Sequence, residues 1–109
     1  MVDALAPGDY LEKPYEKGIH VVLLHCEDTV GLWRQAMASM ETVSHRFYGS
    51  PNVRLWECVI RTPEDAEAVE VARMPQFRFF LNGAEHYTYT GVMSPEEIAR
   101  RIFAVGDKR

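Results

Sequence analysis

Arg73-Met74-Pro75-Gln76-Phe77-Arg78-Phe79-Phe80-Leu81-Asn82-Gly83 decides the fold of this chain. Gln76 to Leu81 is rich in residues that favour strands. Asn82-Gly83 follows at once, and a second β-rich run, Glu85 to Thr90, comes next. Asn-Gly between two such runs is the strongest short-range hairpin signal, because a two-residue turn needs positive φ at both central residues.

Downstream, Ser94-Pro95-Glu96-Glu97 predicts a helix start. It combines a capping box with proline at the first helical position, and Met93 and Ile98 are placed for a hydrophobic staple. Ile98, Ile102, Phe103 and Val105 form the buried face of that helix, and Arg100, Arg101, Lys108 and Arg109 suit its C-terminal end. Upstream, Thr62-Pro63-Glu64-Asp65 opens a short helix to about Ala72, and Val53 to Ile60 reads as a strand. From Thr29 the period changes: Val30, Trp33, Met37, Met40, Val43 or Ser44 and Phe47 recur at steps of three and four. Asp28 or Thr29 caps this long helix, and Gly49 with Pro51 ends it. Ile19 to Cys26 is apolar on both faces, as an inner parallel strand requires.

Residues 1–18 are rich in Pro, Gly and charge, with room for one short helix around Asp9 to Lys17. They are expected to form an N-terminal extension or arm, with the domain proper spanning 19–109. The order that results is βαβ followed by ββα. This predicts the α/β class.

The chain has 109 residues, enough for one domain, and 47% are apolar, enough for a core without disulfides or metal. The net charge of -4 and the absence of a Lys/Arg cluster exclude an electrostatic nucleic-acid footprint. No apolar stretch approaches the roughly 18 residues of a membrane span, and no cleaved secretory signal is expected. Two cysteines are too few for a secreted disulfide scaffold, which predicts an intracellular reducing compartment, the cytoplasm or an organelle matrix.

The 73–83 stretch, continuing through Thr90-Gly91-Val92-Met93-Ser94, resembles the cis-proline strand, turn and final helix entry of the thioredoxin family. Val53 to Pro63 falls into register with the family's preceding strand and loop, so the likeness covers about Ile19 to Phe103. The resemblance carried by residues 73–94 implies the specific fold, thioredoxin-like: a central mixed four-stranded sheet with helices on both faces, and Pro75 in cis after Met74. It also locates a loss. A thioredoxin needs a thiolate at the front of its long helix, where the helix dipole and free N–H groups lower the thiol pKa, and a resolving thiol three positions on. The matching positions here are Thr29 and Leu32. The family's buried acid matches Leu23, its partner lysine Trp56, and the Trp before the first cysteine Asp28. Dithiol oxidoreductase activity is therefore expected to be absent.

What remains is a groove. In the family, a partner's extended segment crosses the active-site loop, the residue before the cis-proline and the loop before the last helix. The matching surface is Thr29, Val30, Met74, Pro75, Gly91 and Val92, small or apolar side chains suited to a peptide backbone or a partner loop. The expectation is a redox-inactive accessory or structural subunit with a protein partner. The alternatives are a one-thiol redox protein using Cys26 and a chaperone-like peptide-binding module. A Cys26–Cys58 bridge is not expected: if Leu23 and Trp56 face one layer, alternation sends the two thiols to opposite faces. His20 and His25 are separated by four residues, within the spacing of a zinc-ligand pair, but strand pleating puts them on opposite faces, so neither a metal nor a cofactor is expected. Trp33, Met37 and Met40 are expected to pack into the core.

Overall fold

The computed structural model describes residues 2–12, 17–27 and 31–107. Along the chain come β1 (Asp3–Ala4), α1 (Pro7–Leu11), β2 (Ile19–His25), α2 (Leu32–Arg46), β3 (Val53–Val59), α3 (Pro63–Ala68), β4 (Gln76–Leu81), β5 (Ala84–Thr90) and α4 (Pro95–Gly106). The strands form one mixed sheet in the order β1-β3-β2-β4-β5. β2 is central. It runs parallel to β3 and antiparallel to β4, and all seven of its residues are buried. That double burial is why its sequence is an unbroken apolar run rather than an alternation.

Two cores sit on the two faces. On one, Val21, Leu23, Leu55, Phe77 and Phe79 pack against Ala36, Met40 and Val43 of α2 and Ile98, Ile102 and Val105 of α4. On the other, Val22, Leu24, Trp56, Cys58 and Phe80 pack against Leu5, Tyr10, Ile60, Val69 and Val71. A buried arginine, Arg78, lies on this second face. Its charge is met by oxygens: it donates to the Gln76 Oε1 at 2.7 Å, the Tyr10 hydroxyl at 2.6 Å, and the Val69 and Glu70 carbonyls at 2.7 and 2.9 Å. Those carbonyls end α3, where a cation also complements the helix dipole.

The expected four strands are present, and a fifth, β1, lies on the free edge of β3, with Asp3 opposite Trp56 and Ala4 opposite Glu57. Two residues are too few to show an alternation, so composition alone could not announce it. Residues 2–12 lie on the sheet, and Leu5 and Tyr10 belong to its second core. α1 begins at Pro7 and ends at Leu11, earlier than the Asp9-to-Lys17 helix expected; residues 13–16 are outside the described residues.

The hairpin forms as its turn chemistry dictates, with positive φ at Asn82 (51°) and Gly83 (89°). It also fastens the start of β2: the Asn82 N–H donates to the Gly18 carbonyl at 2.9 Å, and the Gly18 N–H to the Asn82 Oδ1 at 2.9 Å. Gly18 has φ 82°, and a Cβ there would stand 2.7 Å from the Asn52 carbonyl oxygen, so only glycine fits. At α4, Ser94 and Glu97 make the reciprocal capping box, and Met93 and Ile98 are both buried.

Candidate functional site

Four of the six residues predicted to line a groove, Met74, Pro75, Gly91 and Val92, lie at the end of the sheet where β2 finishes and β4 begins. Leu24 pairs with Gln76, which brings the end of β2 beside the Met74-Pro75 peptide, and that peptide is cis. The Pro75 carbonyl accepts the Gly91 N–H at 2.8 Å, joining the cis-proline turn to the loop before α4. Gly91 has φ 123°, and a Cβ would stand 3.4 Å from the Tyr89 ring. Pro75 is buried; Met74, Gly91 and Val92 are half-buried. Four of the six groove residues are thus neighbours. Thr29 and Val30, with Asp28, lie outside the described residues.

Sequence reasoning missed a polar pair under this end of the sheet. His25, 1% exposed, donates through Nε2 to the Glu57 Oε2 at 2.8 Å. Its ring stacks on Trp33 in the first turn of α2, with centroids 5.6 Å apart and planes 5° apart. The His25 Nδ1 is buried and has no hydrogen-bond partner among the described residues. The available signal was register: Glu57 stands opposite Leu23, on the same face as His25. Trp33, expected in the helix core stripe, is instead half-buried against His25 and has the Arg34 guanidinium 5.3 Å from its ring. Met40 is fully buried as expected, Met37 packs at the core's margin, and Ala36 completes the stripe.

One facing expectation is overturned. Leu23 and Trp56 do not share a layer: Leu23 lies with α2 and α4, and Trp56 on the opposite face with Leu24 and Cys58. The register partner of Leu23 is Glu57, and that of Trp56 is Val22. The alternation argument against a Cys26–Cys58 bridge falls with it, because Leu24 and Cys58 are directly paired. Both cysteines are nonetheless free thiols: Cys26, just beyond β2, is half-buried, and Cys58 is buried. Burial first, and then the Asp65 carboxylate, push the Cys58 thiol up to about 11, against a smaller opposing pull from Arg78. Neither ring nitrogen of His25 bonds the Cys26 sulfur, so no activated thiol–imidazole pair exists among the described residues.

His20 and His25 do face opposite layers: His20 bonds Trp56 on one face, and His25 stacks on α2 on the other. Among the described residues no three His, Cys, Asp or Glu side chains converge as a metal site would require. No described helix is long and apolar enough to cross a membrane.

No family model matches the chain, and no curated protein sequence does. Solved structures match closely in shape. A thioredoxin from Fasciola hepatica superposes with TM-score 0.74 at 20% identity, covering 94% of this chain and 98% of that one. Chloroplastic thioredoxin z gives TM-score 0.81 at 13% identity, with 97% and 95% covered. A Malassezia sympodialis thioredoxin gives 0.69 at 19%, with 95% and 90% covered. At these identities the likeness is one of architecture, and with the cis-Pro75 turn and the mixed sheet it establishes that this chain has the thioredoxin fold.

Proposed function

We propose that the chain is a non-catalytic thioredoxin-fold protein that acts by binding another protein, as an accessory or structural subunit of a larger assembly. One observation carries this reading: the sequence has two cysteines, Cys26 and Cys58, and neither has a second cysteine three positions away. Dithiol exchange moves an electron pair by forming a disulfide between an attacking and a resolving thiol, and that pair is missing. The positions matched to the family's buried acid and its partner lysine supply support. Leu23 cannot move a proton and Trp56 carries no ammonium, while Glu57, the register partner of Leu23, is engaged by His25.

The groove supports a binding role. Met74, Gly91 and Val92 offer partly exposed apolar surface around a fixed cis turn, fit for an extended segment of a protein partner. Two free thiols suit a reducing compartment. Purified protein is expected to leave insulin disulfides unreduced above the uncatalysed rate, and native mass spectrometry of material from its own source is expected to show it in a complex. Val92→Asp should release that partner while the circular-dichroism melt stays unchanged. Catalysed insulin reduction, or a lone 12.5 kDa species, overturns the reading.

A second reading rests on the half-buried Cys26 at the groove end of β2. A one-thiol redox protein would need that thiol to react as a low-pKa nucleophile. Its alkylation rate across pH decides: a rate midpoint well below the usual thiol range favours this reading over a purely structural one.

A further inference from the structure

His20 and Trp56 hold each other across β2 and β3 by a pair of bonds that tolerates one protonation state only. The Trp56 Nε1–H donates to the His20 Nδ1 at 2.9 Å, and the His20 Nε2 lies 2.7 Å from the Lys17 carbonyl oxygen. An indole N–H can only donate and a carbonyl can only accept, so both bonds exist together only when the imidazole is neutral with its hydrogen on Nε2. A second proton would set Nδ1–H against Nε1–H and leave a cation on a side chain that is 4% exposed.

Trp56 is also where the N-terminal strand rests. Asp3 pairs with Trp56 and Ala4 with Glu57, and the Leu5 N–H donates to the Glu57 carbonyl at 2.8 Å. The Arg54 guanidinium lies 4.5 Å from the centre of the Trp56 ring and donates to the Asp3 Oδ2 at 2.7 Å. We infer that residues 2–5 are an acid-released strap: a proton on His20 unseats Trp56, and β1 leaves the edge of β3.

The strap is the part that gives way because it is short: beyond its ladder bonds it is held by the Leu5 side chain, 5% exposed in the second core, by Val2 at the margin of the first, and by one surface ion pair. β1 has two residues, and the Asp3–Arg54 pair is 37% and 52% exposed, a class of ion pair worth about 0–1 kcal/mol. α1 behind it is tied down by Arg78, through the Tyr10 hydroxyl. Opening therefore stops short of α1 and bares the β3 edge at Trp56 and Glu57. Among the described residues, the groups acting on His20 are Arg54 of β3 and the Lys17 carbonyl ahead of β2; Asp3 of β1 is held by Arg54, and Tyr10 with Arg78, and Cys58, lie in the same layer. Burial and then Arg54 lower the His20 pKa from its ordinary 6.5, against the Lys17 carbonyl, which raises it. A base whose pKa is depressed in the closed form binds its proton more readily once open. The closed form is thus fully favoured above pH 6.5 and loses ground as pH falls below it.

Amide hydrogen exchange on the whole chain at pH 7.5 and 5.5, corrected for intrinsic exchange, tests this. Regaining the ordinary 6.5 on opening caps the rise in the opening equilibrium between those pH values at about tenfold. Leu5 should lose protection by up to about tenfold. Ile60, whose N–H donates to the His25 carbonyl at 2.7 Å, should not change. In His20→Gln the side-chain oxygen can accept from Trp56 and its NH2 can donate to Lys17, with no proton to gain, so Leu5 protection should be flat with pH. Should that variant not fold, Trp56→Phe removes the opposing donor and should lessen the same slope, the share due to burial remaining. A flat wild type, loss at Ile60 equal to that at Leu5, or an undiminished slope in the folded variant overturns the inference.

Discussion

Cys58 shows how a residue's surroundings set its chemistry more firmly than its type. It lies fully buried on the second face of the sheet, paired with Leu24, and its thiol is pushed up to about 11. At pH 8 about one thiol in a thousand is then the reactive thiolate. Cys26, half-buried beyond the strand end, meets reagent without unfolding. Iodoacetamide at pH 8 should therefore add one label per native chain, at Cys26, with Cys58 labelled at least about 100-fold more slowly unless denaturant is present. Peptide mass spectrometry reads the two sites separately, and equal labelling rates would contradict the burial of Cys58. At this same scale the sequence was least legible. A one-residue error in the relative register of two strands moved Trp56 to the wrong face and hid the His25–Glu57 contact, because pleating turns every register slip into a change of side.

At the scale of elements, legibility follows whether the determining chemistry is local. The Asn82-Gly83 hairpin, the Thr62 cap of α3 and the Ser94 cap of α4 were readable, because each depends on residues within four positions of one another. β1 was not readable, because what makes Asp3-Ala4 a strand is the distant edge of β3. The α4 cap gives a direct test. Ser94 accepts the Glu97 N–H at 3.2 Å, while the Glu97 carboxylate accepts the Ser94 N–H at 3.2 Å. Ser94→Ala removes the first bond and should cost about 1 kcal/mol in urea unfolding at pH 7. The second bond carries a pH signature. The Ser94 backbone bond, and then the Ser94 hydroxyl, hold the Glu97 pKa below its ordinary 4.5. Its contribution is therefore present above pH 4.5 and is lost as pH falls through the lowered value. Glu97→Gln should flatten that part of the stability profile, and a variant profile parallel to the wild type would refute the box.

At the scale of the molecule, a sheet buried on both faces raises the question of whether its two cores behave as one. Among the described residues, the α2–α4 core and the α1–α3 core are separate clusters on opposite sides of the sheet, since alternate residues of β2 serve opposite sides. The groove end draws on both: Met74 packs with the second core, while Met93, one residue beyond Val92, belongs to the first. A surface assembled this way keeps its shape only while both cores stay packed. Ile98 is fully buried in the first core and Ile60, 5% exposed, in the second. Each truncated to Val should cost about 0.5–1.5 kcal/mol. Because the two side chains belong to different clusters and share no packing partner there, the double variant should lose the sum of the two costs to within about 0.5 kcal/mol. Urea unfolding of the four proteins of the cycle measures this, with an unchanged m-value showing that one cooperative transition is retained. A coupling energy above about 1 kcal/mol would mean that the sheet transmits packing strain from face to face. A groove fed by both cores would then sense a disturbance on either side, rather than only the sum of two independent losses.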